Sequence, residues 1–343
     1  MVYFDPAARD PSSKREGLTP HVDPTLPRCT EQARQLGEDP VGSAPPWNRC
    51  LVFELPAPWE ARVEFSRAFP DEPRQILSQI EARGERVRLQ CVLPDPEYST
   101  PGKTRLILFS RPTDVLASCG RAEYLVPSES AAEVACALLE DRGIPQRFDQ
   151  WREHASPARE ILICTHGNRD ACCGSYGVPI YESLRKMADD DPLNDGTKTR
   201  VWRTSHTGGH RFAPTLIDLP EGRYWAFVDN DLAADVLRRR GDLGSMVDRY
   251  RGWAALASPA EQNAERAAFA RVGWVWVTAQ KRIEKFGAVS GIDRHRIRFT
   301  YTESPGHPPG SLDVSVEYAG SVPTMNCMKR GSKGDNPQYR LVK

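Results

Sequence analysis

One stretch near the middle of the chain limits its fold more than any other. Glu160 to Cys164 (EILIC) is a short apolar run of strand length. A helix over Ile180 to Met187 follows Pro179, and then a strand over Thr199 to Thr204. Thr215 to Leu219 and Tyr224 to Val228 read as a hairpin around Pro220-Glu221-Gly222. A helix from Asp231 to Arg240 closes the unit, with Asp229 or Asn230 as its cap.

Strand, helix, strand, antiparallel hairpin and helix is the element order of a thioredoxin-like α/β unit. Pro214, just before a hairpin strand, stands where that fold often holds a cis proline. A similar order occurs upstream. Regular structure starts near Cys50-Leu-Val-Phe, and Glu72 to Arg83 is a helix with Ile76 and Ile80 four apart. Strands over Val87 to Leu93 and Thr104 to Ser110 are joined by the turn-rich PDPEYSTPGK. A strand at Glu123 to Val126 then leads into a helix over Ser128 to Asp141, capped by Ser128 or Ser130. This first unit has no clustered Cys or His, so it reads as a degenerate copy that kept the scaffold and lost the site.

The expected fold class is therefore α/β (α+β): tandem thioredoxin-like units with a C-terminal α+β region. The expected division is a Pro-rich arm (1–46), a degenerate unit (47–146), a unit carrying the site (147–241) and a C-terminal region and tail (242–343). The arm holds eight prolines and few large apolar side chains, so it can bury little and is expected to be an extended arm or tail, at most partly ordered on the surface. After Asp242, the stretches LGSMVDRYRGWAAL and SPAEQNAERAAFARVGWVWV read as helical. Arg296 to Tyr301 and Leu312 to Tyr318 alternate as strands, and the tail after Cys327 is basic, Gly-rich and expected to be loose or to cover a surface.

Composition excludes several functions. The 343 residues predict about two or three domains. Lys plus Arg and Asp plus Glu are 46 each, so no basic excess exists for nucleic acid or anionic membrane. No apolar run approaches the roughly 20 residues of a membrane span. The N-terminus, MVYFDPAARDPSSKREG, lacks the apolar core of a secretory signal and the acid-poor bias of a transit peptide, so a cytoplasmic chain is expected. The nine cysteines are odd in number and scattered, unlike a disulfide framework. Cys29, Cys50, Cys91, Cys119, Cys136 and Cys327 stand singly and read as small hydrophobes.

The other three cysteines crowd together. Cys164-Thr-His-Gly-Asn-Arg-Asp-Ala-Cys172-Cys173-Gly follows one strand end, and Ser205-His206-Thr-Gly-Gly-His210-Arg-Phe-Ala-Pro follows another. Loops at strand carboxyl ends gather the sites of α/β sheets, so these segments can bring two thiolates and two imidazoles together. A thiol–disulfide site usually needs Cys-x-x-Cys at a helix N-terminus, whereas the gap from Cys164 to Cys173 is wide. Zinc suits thiolate plus imidazole, and His-x-x-x-His is within zinc-finger spacing, although no Cys-x2-4-Cys knuckle occurs. Cys164-Thr-His166 matches the first box of a Rieske centre, but the second box is missing.

With its C-x8-C (Cys164, Cys173), its H-x-G-G-H (His206, His210) and the Phe-Ala-Pro-Thr run that follows, the chain resembles the sucrase/ferredoxin-like family over roughly residues 48 to 240. The resemblance implies a thioredoxin-like ferredoxin domain with one [2Fe-2S] cluster, held by Cys164 and Cys173 on one iron and by His206 and His210 on the other; the adjacent Cys172 is the alternative to Cys173, which the family spacing favours. No carboxylate pair stands out as glycosidase machinery, so the "sucrase" of the family name finds no support. Neutral imidazoles in place of thiolates make such a cluster easier to reduce. Rieske centres lie at roughly −150 to +300 mV, against about −400 mV for plant-type ferredoxins. A ligating imidazole has a second nitrogen that can exchange a proton, so reduction is expected to be proton-coupled.

The bland readings of the neighbours are a donor or surface role for His166 and a solvated loop face for Arg169, Lys198 and Arg211. Gly208 and Gly209 read as a close backbone approach or a plain turn, and Trp274 and Trp276 as core packing. No Rossmann fingerprint follows a strand. The expected function is electron transfer with external donor and acceptor proteins and no catalytic activity of its own. The alternatives are a thiol-dependent oxidoreductase or redox sensor using Cys172 or Cys173, and a structural zinc protein.

Overall fold

The computed structural model describes residues 27–113, 116–140, 143–154, 159–190, 198–286, 293–304, 306–325, 327 and 334–342. The expected strand–helix–strand–hairpin–helix order occurs twice. In the first copy β1 (Arg49–Glu54) is followed by a helix (Asp71–Ala82), β2 (Val87–Val92), β3 (Lys103–Ser110), β4 (Gly120–Pro127) and a helix (Ala131–Glu140). In the second, β5 (Arg159–Cys164) is followed by a helix (Ala171–Asp190), β6 (Thr199–Thr204), β7 (Leu216–Leu219), β8 (Arg223–Trp225) and a helix (Asn230–Arg238). With the N-terminal helix Cys29–Gln35 counted first, these four helices are α2 to α5, and Cys29–Gln35 is α1.

Pairing is the same in both copies. β1 and β2 are parallel, β3 is antiparallel to β1, and β4 is antiparallel to β3. Likewise β5 and β6 are parallel, β7 is antiparallel to β5, and β8 to β7. The copies join through antiparallel β2 and β6, where Val92 faces Thr204. With β9 (Tyr250–Trp253) at the far edge, one sheet runs β4-β3-β1-β2-β6-β5-β7-β8-β9.

Strand β5 is buried at every position, as a central strand covered on both faces must be. Ile161 and Ile163 join one core with Leu184, Leu232 and Val236, whereas Leu162 joins another with Val52, Ile107 and Trp202. That split is the period of two of a strand. Its polar residues are satisfied: Arg159 forks onto Asp218 at 2.7 and 2.8 Å, and Glu160 accepts from Trp202 Nε1 at 2.6 Å. Asp229 caps α5, accepting from the Leu232 N–H at 2.9 Å, and the Ala213–Pro214 peptide is cis.

Three segments differ from the sequence expectation. Residues 27–46 include α1, which buries Cys29 and Ala33 and is tied down by Thr30 Oγ1 donating to the Ala213 carbonyl at 2.7 Å. A seven-residue helix among prolines carries no sequence signal because its stability comes from docking. The helix expected over LGSMVDRYRGWAAL shortens to α6 (Leu243–Met246). Tyr250–Trp253 is instead strand β9, fully buried, because the open edge of β8 offers it a backbone ladder. Residues 335–341 of the tail, expected to be loose or surface-covering, form a strand.

The C-terminal region holds α7 (Pro259–Val272) and an antiparallel sheet of β10 (Gln280–Phe286), β11 (Arg294–Thr302), β12 (Gly310–Pro323) and β13 (Asp335–Leu341). The N-terminal arm before residue 27 and the tail at 328–333 lie outside the described residues. No described helix is long and apolar enough to cross a membrane.

Candidate metal centre

Cys164 and Thr204 are register partners at the ends of parallel β5 and β6, so the two loops that follow leave the sheet side by side. One loop returns through Asp170 into the first turn of α4, which carries Cys172 and Cys173. Gly177 lets that helix close on the strand end, since a Cβ there would lie 2.0 Å from the Cys164 carbonyl oxygen. The other loop runs through His206 to a tight turn over His210–Phe212. Gly209 has φ +62°, and a Cβ there would stand 2.7 Å from Nη2 of buried Arg251. Arg251 donates to the carbonyls of Gly208 (2.9 Å) and Ser43 (2.7 Å), which ties the histidine loop to the N-terminal segment.

The copy without clustered ligands holds the loop from its other side. Ser205 exchanges hydrogen bonds with the Cys91 backbone (2.8 and 3.0 Å), and Arg88 donates to the His206 carbonyl at 2.7 Å. Both Arg88 and Cys91 lie on β2.

Of the four residues singled out by sequence, three come together tightly. The thiols of Cys164 and Cys173 and a ring nitrogen of His206 all lie within 4.8 Å of one another. Burial pushes the Cys164 thiol up, but hydrogen bonds from Cys173, from the backbone of His166 and Thr207 and from Thr215 outweigh it and bring it down to about 7. Cys173 is held well above its ordinary value by its bond to Cys164 and by burial. His206 is pushed well below, first by burial and then by the charges of His210, Arg169 and Arg88. It is a neutral imidazole at physiological pH, and its Nδ1 is buried with no hydrogen-bond partner.

His210 lies beside this group rather than inside it. Its ring centroid is 5.8 Å from that of His206, and its Nδ1 faces Asp170 Oδ2 at 3.1 Å and Cys29 Sγ at 3.4 Å. A carboxylate behind an imidazole fixes the ring and leaves the other nitrogen for a ligand. His166 is buried: its Nδ1 accepts from the His206 N–H at 3.2 Å, and its Nε2 has no partner. Burial brings its pKa down to about 4. Two thiols, one easily ionised, with an orphaned neutral imidazole and a carboxylate-backed one form a donor set that suits an iron–sulfur centre held by two cysteines and two histidines.

Cys173 faces Cys164, whereas Cys172 turns the opposite way. It meets Cys29 Sγ at 3.5 Å and Cys327 Sγ at 3.2 Å, and with Asp170 these form a second gathering of donor groups. Cys29 and Cys327, which read from sequence as isolated hydrophobes, instead meet Cys172. Lying 298 positions apart, they carry no motif, and only tertiary structure brings them together. Lys198 pairs with Glu97 (2.6 Å) on an exposed face, whereas Arg211 forms a largely buried pair with Glu38 (2.7 Å) and not the solvated contact expected. Trp276 is buried in the core and Trp274 packs against it.

A model of the sucrase/ferredoxin-like family matches residues 40–252, which include both sheet copies and both loops of the site. A curated relative, "Altered inheritance of mitochondria protein 32" of Meyerozyma guilliermondii, is 27% identical over 148 residues. That match covers 38% of this chain and about half (49%) of the relative. Among solved structures, a thioredoxin-like [2Fe-2S] ferredoxin from Aquifex aeolicus aligns with 81% of its own length and 25% of this chain, at 12% identity and a TM-score of 0.22.

Proposed function

We propose, from the premise that this chain belongs to the sucrase/ferredoxin-like family, that it is an electron-transfer protein holding one [2Fe-2S] cluster through Cys164, Cys173, His206 and His210. The observation that carries the reading is His206, whose buried Nδ1 has no hydrogen-bond partner and one of whose ring nitrogens lies within 4.8 Å of two thiols that share one hydrogen bond. A buried polar atom left unpaired costs about 1–3 kcal/mol, which a bound metal would recover. When bound, such a cluster takes up and passes on one electron at a time.

The chain's residues have distinct roles in this reading. Cys164 and Cys173 supply the two negative ligands, and the buried backbone around them excludes water. His206 and His210 supply neutral nitrogens. With Nδ1 engaged by Asp170, His210 offers Nε2 as its ligand atom, and the Nδ1 proton is the one it can hold or release. The electron comes from one protein and leaves to another. Cytoplasmic location belongs to the same proposal: fractionation is expected to find the chain in the cytosol, and recovery with mitochondria would overturn that part.

A thiol-exchange enzyme working through Cys172 or Cys173 is less well supported, because both sulfurs are fully buried and exchange needs an accessible thiolate. The test is iron and acid-labile sulfide content of the full chain after anaerobic reconstitution. Two of each per chain, with visible absorption that Cys164→Ala abolishes, is the expected result. A colourless, sulfide-free protein would overturn the proposal.

A further inference from the structure

The second gathering of donors adjoins the proposed cluster site, touching it through His210 Nδ1, but shares none of its proposed ligands. Cys29, Cys172 and Cys327 are 0%, 0% and 6% exposed, and Asp170 is 1% exposed. Their ligand atoms all lie within 4.8 Å of one another. They come from three distant parts of the chain: the first residue of α1, the start of α4 and the segment between β12 and β13. Three thiols cannot be satisfied as disulfides, because one is always left over. Buried cysteines alone could pass for a small apolar cluster, but a carboxylate in their midst could not.

Asp170 accepts from the N–H groups of Cys172 (2.9 Å) and Cys327 (3.3 Å), and it meets the Cys29 thiol at 3.6 Å and His210 Nδ1 at 3.1 Å. These contacts include no guanidinium or ammonium group. Burying a carboxylate among thiols is costly unless a cation compensates it.

We infer that Cys29, Cys172, Cys327 and Asp170 form a second, mononuclear metal centre for a borderline-soft d10 cation, Zn2+, with three thiolates and one carboxylate in tetrahedral array. Such a donor set is four-coordinate and closed, as structural zinc sites are. Its charge equals that of a site built from four thiolates, and Cys172 lies in the first turn of the 20-residue α4, where the helix start helps to support it. The Cys29 N–H also donates to Cys327 Sγ at 3.3 Å. Ligands must lose their protons on binding, so three thiol protons leave to solvent as the cation enters. The cation would pin the N-terminal segment and the C-terminal segment to the loop that carries Cys173. This inference stands on its own geometry and does not require the iron centre.

The test is zinc and iron analysis of the full chain grown with both metals, together with X-ray absorption at the zinc edge. One zinc per chain is expected, with three sulfur neighbours at about 2.3 Å and one lighter atom. Cys327→Ser and Cys172→Ser should each lose zinc roughly tenfold or more while keeping iron, and Cys164→Ala should lose iron while keeping zinc. Should the serine variants fail to fold, the absorption spectrum of the unaltered chain decides. Zinc absent from that chain, zinc retained in both serine variants, or a Cys172–Cys327 disulfide in peptide maps would overturn the inference. Zinc without iron would overturn the cluster proposal and leave this one standing.

Discussion

At the scale of single residues, the histidine loop depends on a backbone shape that only one residue type adopts freely. Gly209 is left-handed and pressed against Arg251. Gly209→Ala should therefore cost about 1–3 kcal/mol in backbone strain and displaced contacts, and it should lower iron content along with the melting temperature. Gly84→Ala, also at positive φ but with nothing within 4 Å of the added carbon, should cost less and leave iron unchanged. Equal iron loss in both would show that contact with Arg251 is immaterial.

The same scale governs the response of the proposed cluster to pH. His210 keeps Nδ1 against Asp170, and if His210 holds the iron, a proton there would be bound more tightly in the reduced protein. The reduction potential should fall as pH rises near and above neutrality, by up to about 59 mV per pH unit for one proton and one electron. Voltammetry giving a flat line from pH 6 to 10 would contradict this. Cys164, Cys173, His206 and His210 could be singled out from sequence because each sits in a short motif at a strand end. The gathering of Cys29, Asp170 and Cys327 could not, because nothing local distinguishes a cysteine that meets distant donors from one packed alone.

At the scale of elements, the nine-stranded sheet must curl. Glu123 on β4 and Arg200 on β6 are separated by three strands, which in a flat sheet means about 19 Å, yet their side chains meet at 2.9 Å. Arg121 of β4 likewise reaches Glu160 of β5 at 3.1 Å, and Arg105 also pairs with Glu123. This buried network joins the two copies across a shared apolar layer that includes Val52, Ile107 and Trp202. Burial raises the Glu123 pKa, but Arg200, Arg121 and Arg105 outweigh it and bring it down to about 2.

The folded carboxyl therefore titrates below the unfolded one. The stability this provides, up to about 3 kcal/mol, is fully present above roughly pH 4.5 and is lost as pH falls toward 2. Acid titration of the unfolding free energy should show that loss, and Glu123→Gln should flatten the profile in the same window. A slope unchanged by the substitution would count against the network. The repeated element order was legible because hydrophobic period and turn residues are local. The curl and the polar network were not, because charged residues on strands read as solvent-facing until their partners are known.

At the scale of the whole molecule, the segment around Glu38 and strand β13 meet beside the site. Glu38 binds both Arg211 (2.7 Å), beside the histidine turn, and Asn336 (2.9 Å) on β13. Asp39 receives Arg266 of α7 (2.8 Å) and its N–H donates to Gln338 (2.9 Å). The C-terminal sheet and the N-terminal segment thus brace one face of the loop cluster, while β2 of the first copy braces another. In this arrangement the copy without clustered ligands supports its neighbour's loops. Strands β9 and β13 escaped sequence reading for a shared reason, since each is fixed by pairing with an edge already in place and not by a pattern of its own.

The central claim is that two sulfurs and two imidazole nitrogens from these loops hold one iron–sulfur cluster. Pulsed electron paramagnetic resonance of the reduced full chain tests it most directly. The expected result is a spin-one-half signal coupled to two ligand nitrogens, one of which disappears in His206→Cys and the other in His210→Cys. A reduced iron–sulfur signal with no nitrogen coupling, or no such signal at all, would contradict it.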